Sequence, residues 1–294
     1  MSGSRDLAVK PDIGFLVRER FGVGESPVWD AENGRLLWCD IPAGVIHAVT
    51  VVTGARRRWA FGEPVPSFGL AQGGRLVVAL RNDVMLFDPE TGRRALVARV
   101  EHAKPDMRLN DGKVGPDGAF WVGSMDGSGD GMPAAKLYRI APDGDMRVVA
   151  EGIAIANGLA WNAVGDRMYH SDSRGDIWLD CWDFDAATGA MSNRRRLREH
   201  DEAVGRPDGG ACDMDGNYWS AGPSAGRLNR FSAEGELLDW IDLPIRTPTM
   251  PCFGDADMQT IYVTSLDSKA DEGRDGVVRL RVDVPGVPVG RFGA

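Results

Sequence analysis

A recurring unit constrains this chain more than any other feature of its sequence. About six times, a polar or small residue opens a short apolar run, an Asp- or Gly-bearing turn follows, and an apolar or aromatic strand comes next. The first copy runs from Glu25-Ser26-Pro27-Val28-Trp29-Asp30 through Asn33-Gly34 into Leu36-Leu37-Trp38. Phe68-Gly69-Leu70-Ala71 leads through Gly73-Gly74 to Leu76-Val77-Val78, and Asp111-Gly112 leads through Pro116-Asp117-Gly118 to Phe120-Trp121-Val122. Asn157-Gly158-Leu159-Ala160-Trp161 turns at Gly165-Asp166 into Met168-Tyr169, and Asp208-Gly209 passes Asp215-Gly216 to reach Tyr218-Trp219. A weaker sixth copy joins Met250-Pro251-Cys252-Phe253 to Ile261-Tyr262-Val263. Copies spaced by roughly 40 to 50 residues match one four-stranded blade, so the unit predicts an all-β, six-bladed β-propeller. Between copies, hairpins such as Lys136-Leu137-Tyr138-Arg139-Ile140, Pro142-Asp143-Gly144, Met146-Arg147-Val148-Val149 supply the outer strands. No stretch carries sustained helical periodicity with caps at both ends.

The 294 residues form one propeller domain on this reading, with residues 1–14 as an N-terminal extension. Abundant Gly (38) and Pro (17) fit many short strands and tight turns. A formal charge of −9 argues against nucleic acid or an anionic membrane as partner, because both call for a basic face. Cys39, Cys181, Cys212 and Cys252 lack both CxxC pairing and the density of a disulfide framework, so they read as reduced, buried, small apolar residues. Met1 to Lys10 has no continuous apolar stretch, and no run reaches the length of a membrane span, which predicts a cytoplasmic protein. Trp29-Asp30 is assigned to a turn, and the absence of a repeated Gly-His…Trp-Asp signature disfavours a protein-binding propeller.

In a propeller the innermost strand of each blade lines the central channel. Aligned by the repeat, Glu25, Asp111, Asn157 and Asp208 lie at the mouths of four such strands and should converge near the axis. Taken singly, Asn-Gly and Asp-Gly pairs are ordinary turn dipeptides. Each, however, precedes an apolar segment and a separate turn, so it is not needed to reverse the chain. Carboxylates gathered at an axis repel one another unless a cation binds, and with an amide oxygen they make a hard, all-oxygen site in the central channel. Calcium is the first choice for one divalent metal ion; magnesium, manganese and zinc are the alternatives. Histidine spacing offers no metal motif and no Gly-x-Ser-x-Gly elbow is present; His170, in Tyr169-His170-Ser171-Asp172, could approach the site but reads first as structural.

At these residues the chain resembles the family of gluconolactonase, regucalcin (senescence marker protein 30) and related sugar lactonases, over nearly its whole length. The resemblance is carried by Gly24-Glu25-Ser26-Pro27-Val28-Trp29, Arg108-Leu109-Asn110-Asp111-Gly112-Lys113, Asn157-Gly158-Leu159, Ser192-Asn193-Arg194-Arg195, Pro207-Asp208-Gly209 and Pro251-Cys252-Phe253-Gly254. It implies a six-bladed propeller with a divalent cation held by Glu25, Asn157 and Asp208, and Arg108 and Asn110 holding substrate hydroxyls. Asp111 is implied as a partner of the cation, directly behind it or through water. Asp126, in Gly123-Ser124-Met125-Asp126, takes the place of an acidic substrate contact at a shifted position.

The implied activity is hydrolysis of a sugar lactone, such as gluconolactone or a pentonolactone, to its acid. A cation beside the lactone carbonyl stabilises the charge that develops as water adds. Asp208 is the expected proton acceptor, with Asp111 or a hydroxide at the ion as alternatives, since contact with a cation lowers a carboxylate's basicity. Two competing readings keep the propeller: a hydrolase of another ester class, such as phosphotriesters, and a non-enzymatic, calcium-responsive regulatory protein. Arg108 and Asn110 favour polyhydroxylated substrates over apolar phosphotriesters. The choice of sugar, the oligomeric state and the pathway are left open by the sequence.

Overall fold

The computed structural model describes residues 12–128, 132–267 and 273–294. Each copy of the unit folds into an antiparallel four-stranded sheet, since alternating apolar side chains and Gly- or Asp-bearing turns let consecutive strands fold back on one another. Six such sheets form a six-bladed propeller. Their innermost strands are Gly24–Asp30, Ser67–Leu70, Met107–Val114, Ala156–Trp161, Gly210–Cys212 and Pro248–Gly254, in blades one to six. All begin within four residues of the start of a repeat copy. Trp29 and Asp30 belong to the first of these strands and not to a turn, because their register runs on to Leu36 and Arg35.

Blades one to five each draw four strands from consecutive sequence. The sixth draws three, ending at Val277–Arg281, and takes its outer strand from Ile13–Val17 at the other end of the chain. Ile13 pairs with Leu280, Gly14 with Arg279 and Phe15 with Val278. Ile13 and Gly14 therefore lie in a structural strand, inside the stretch that sequence alone assigns to an extension; residues 1–11 of that stretch lie outside the described residues. Ile13 and Phe15 pack on the apolar cluster of blades five and six, which is the physical reason this segment joins the sheet.

The core is distributed around the ring. Apolar clusters fill each of the six interfaces between neighbouring blades, including the interface of the sixth with the first. Trp38, Trp121, Tyr169, Tyr218 and Tyr262 are fully buried, and each side chain of this size stabilises the fold by roughly 2–3 kcal/mol. All four cysteines are free and buried. No helix among the described residues is long and apolar enough to cross a membrane. The C-terminal segment crosses one end of the channel: Val287 donates to the Cys212 carbonyl at 2.9 Å, Phe292 to Leu70 at 2.8 Å and Gly293 to Gly118 at 3.0 Å.

Four innermost strands carry a bulge, between Glu25 and Val28, Leu109 and Gly112, Asn157 and Ala160, and Pro248 and Pro251. A bulge breaks the two-residue alternation and re-aims the side chains within it. Asp111-Gly112 and Asn157-Gly158 thus sit at bulges and do not reverse the chain, while Asp208-Gly209 leads into its strand.

Candidate active site

Opposite the C-terminal segment, the channel widens into a cavity of about 410 Å³. Glu25, Arg108, Asn110, Asp111, Asn157 and Asp208 all line it, drawn from blades one, three, four and five. The bulges explain how. In the first blade Ser26 adopts φ +48, a conformation that is costly for a residue with a side chain, and its amide donates to Glu25 Oε2 at 2.7 Å. In the fourth, Gly158 has φ +71, and a Cβ there would lie 2.4 Å from Ser171 Oγ and 2.5 Å from Tyr218 Oη. Only glycine fits behind Asn157, which is why the amide can face the channel.

Hydrogen bonds tie the inner strands to one another around the channel. Ser67 Oγ donates to the Asn110 carbonyl at 2.7 Å, and Asn110 Nδ2 donates to Ala156 O at 3.0 Å and Asn157 Oδ1 at 2.9 Å. Asn157 Nδ2 donates to Ser173 Oγ at 2.6 Å, and Ser173 Oγ to Pro207 O at 2.5 Å. Gly209 N reaches Thr249 O at 2.8 Å, and Thr249 Oγ1 reaches Gly24 O at 2.5 Å. Asn110 and Asn157 are thereby fixed against one another across two blades, so this part of the constellation is preorganised.

Three carboxylates share this space. Burial raises Glu25 well above the usual carboxylate range, and the negative charges of Asp208 and Asp111 raise it further. Burial likewise raises Asp208, with Asp111 adding to the rise and Arg206 opposing it. Asp111 is raised by burial against the pull of Lys113, and its Oδ1 is buried with no hydrogen-bond partner. Such a cluster stores electrostatic free energy that a cation would release. No group of three or more His, Cys, Asp or Glu side chains stands at metal-binding spacing among the described residues. The candidate donors are a mixed set instead, two carboxylates and an amide.

Arg108 Nη1 donates to Leu109 O at 2.8 Å and Asn110 Oδ1 at 2.9 Å, which orients the guanidinium while leaving its other N–H groups for a ligand. Asp126 is not brought to the cavity wall with the others. Its carboxylate accepts from Lys104 Nζ at 2.6 Å and Ser128 N at 2.9 Å, and the Lys104 contact holds it down at about 2. His170 does not line the cavity either; it is buried beside Trp178 and Trp182, and burial lowers it to about 3. The sequence pattern does not single out Lys113, Ser173 or Arg206. Lys113 follows Asp111 by two residues, but the bulge between Leu109 and Gly112 breaks the alternation from which a shared face would be read, and Ser173 and Arg206 carry no signal of their own.

The sequence profile of the SMP-30/Gluconolactonase/LRE-like region matches residues 23–267. The chain is 36% identical to a 6-deoxy-6-sulfogluconolactonase of Pseudomonas putida over 92% of its own length and 95% of the relative's. It is 34% identical to regucalcin of Xenopus laevis over 88% of each chain. Among solved structures, a calcium-binding protein, regucalcin, from Agrobacterium tumefaciens superposes with a TM-score of 0.89 at 23% identity, covering 97% of this chain and 98% of that one, a likeness of fold.

Proposed function

The chain belongs to the SMP-30/gluconolactonase/LRE-like family, and from that premise we propose that it hydrolyses a sugar lactone to the sugar acid. One divalent cation, calcium before zinc, magnesium or manganese, would be held by Glu25, Asn157 and Asp208. The observation that carries this reading is the convergence of Glu25, Asp111 and Asp208 with the Asn157 amide in one cavity. The residues fit a hard cation: every donor is oxygen, the buried carboxylates repel one another, and Asp111 Oδ1 has no partner. When bound, the cation would supply Lewis acidity, stabilising negative charge on the lactone carbonyl oxygen.

The remaining chemistry falls to the chain. Arg108 and Asn110 orient the ring through its hydroxyls, with the free edge of the Arg108 guanidinium making the larger contribution, because both ends of the Asn110 amide already serve neighbours. Asp208 takes a proton from the attacking water as its oxygen bonds to the carbonyl carbon. The ring C–O bond then breaks, and the departing alkoxide oxygen recovers that proton. Ser173 holds the Pro207 carbonyl and so keeps the base in place. Asp126 acts at a distance on this reading, tethering Lys104. The lactone of the P. putida relative carries a sulfonate, and neutral hexonolactones and pentonolactones are the other candidates. Four free cysteines suit a reducing compartment, so we place the protein in the cytoplasm.

A panel of aldonolactones assayed by acid release, with and without chelator, tests the proposal. Chelator-sensitive turnover of at least one lactone is expected. Calcium binding without turnover of any lactone would sink the hydrolase reading and favour a regulatory one.

A further inference from the structure

Lys113 is a buried lysine that the hydrolytic steps do not use. It lies two residues beyond Asp111 on the innermost strand of blade three, and its Nζ donates to the Gly210 carbonyl of blade five at 2.5 Å. The hydrogen bonds described above join neighbouring blades; this one skips a blade and reaches the segment that carries Asp208. The side chain also lines a second cavity of about 260 Å³ on the far side of the acids, together with Cys212 and Cys252. Lys113 thus lines the second cavity while its charge is felt by Asp111 and Glu25 in the first.

We propose that Lys113 is a positioning residue with two separable effects: its ammonium is a resident counter-charge to Glu25 and Asp111, and its bond to Gly210 holds the Asp208 segment in register. The proposal rests on the cation reading of the cavity. A positive charge near Glu25 and Asp111 stabilises the cation-free protein and, by the same Coulomb interaction, opposes an arriving divalent cation. Asp208 follows the strand it precedes. Gly209 is anchored to Thr249 on one side, and Gly210 to Lys113 on the other. Releasing the Gly210 contact frees the base to drift, which affects turnover more than binding. A lysine serving only as filler would have neither signature, since its loss would weaken the fold and cation binding together.

The test is calcium titration of chelator-stripped protein by calorimetry, alongside lactone kinetics, for the wild type, Lys113→Met and Lys113→Arg. Lys113→Met is expected to bind calcium about tenfold more tightly than wild type. Its thermal midpoint without calcium should be lower, with the gap narrowing on calcium saturation, and kcat should fall about tenfold with KM nearly unchanged. Lys113→Arg, which keeps the charge, should retain wild-type calcium affinity. Should Lys113→Met not fold, Lys113→Gln carries the same expectation for calcium. Calcium binding by the neutral variant that is equal to or weaker than that of wild type overturns the proposal. Failure of the wild type to bind calcium at all would instead bring down the cation reading, and this inference with it.

Discussion

Asn110 Nδ2 stands 2.9 Å from Asn157 Oδ1, so a side chain of blade three dictates which way an amide of blade four presents its oxygen. Ser173 Oγ receives the other end of that amide at 2.6 Å. With both ends spoken for, Asn157 has one orientation, and its oxygen retains a second lone pair for the cavity.

Replacing Asn110 with Ala should therefore act on two residues at once. It frees the Asn157 amide to turn and removes the acceptor that steadies Arg108. Metal affinity and kcat/KM should each fall by about 10- to 100-fold with the fold retained, as seen when a partner that orients a ligand is lost. Calorimetry with calcium and lactone kinetics report the two losses separately; wild-type calcium affinity would contradict the orienting role.

Arg108→Ala should chiefly raise KM, by about tenfold, because its free guanidinium edge faces the cavity without touching the base. Initial rates across lactone concentrations decide the matter. A variant with unchanged KM would remove Arg108 from substrate capture.

Glu25→Gln and Asp208→Ala should abolish calcium binding and turnover while leaving thermal unfolding cooperative. Glu25 is buried and Asp208 half-buried; desolvation raises both above their ordinary values, with Asp208 and Asp111 adding to the rise of Glu25 and Asp111 to that of Asp208. For an acid whose folded value is raised, stability is fully present below the unfolded value and is lost as pH climbs through the folded one. Cation-free protein should accordingly lose stability from the ordinary carboxylate range upward, and the stabilisation given by calcium should be larger at pH 8 than at pH 5. Thermal midpoints at the two pH values, with calcium and with chelator, measure it. Calcium stabilisation that shrinks toward pH 8 would refute the role of this cluster.

Gly158→Ala places a Cβ 2.4 Å from Ser171 Oγ and 2.5 Å from Tyr218 Oη at φ +71. The expected loss is about 1–3 kcal/mol of stability, read as a lower urea midpoint, with reduced calcium affinity through displacement of Asn157. An unchanged midpoint would mean the bulge adapts at little cost.

Deleting residues up to Val17 should expose the edge of Val277–Arg281 and strip Ile13 and Phe15 from the cluster they cover. A lower thermal midpoint and concentration-dependent association are expected, because an uncovered strand edge is a template for another chain. Light scattering and calorimetry would show both.

The architecture was legible because its signals are local. Each unit carries its own alternation and turn, as in Ala156–Trp161 followed by Gly165-Asp166, and no distant residue is needed to recognise it. Ring closure was not legible for the converse reason. Ile13-Gly14-Phe15-Leu16-Val17 has no turn or partner nearby, and its pairing with Leu280 is set by a cluster assembled at the far end of the chain. In the site, the gathering of Glu25, Asp111, Asn157 and Asp208 followed from repeat alignment plus the geometry of a channel, and that of Asn110 only from the family resemblance. Asp126 shows where alignment stops being informative: its distance along the strand says nothing of the Lys104 ammonium that claims its carboxylate. The bulges were hidden as well, since a dipeptide that reverses a chain and one that kinks a strand are written alike.

The outer strand of the sixth blade has a bearing on synthesis. Ile13–Val17 leaves the ribosome before every other strand of the ring and must wait, unpaired, for Val277–Arg281, which emerges after all of them. Blades one to five can form in order as they emerge, but the toroid stays open until the final strands arrive. A site gathered from several blades then becomes rigid in one late event, so a prematurely terminated chain would carry most of the polar groups and none of their shared geometry.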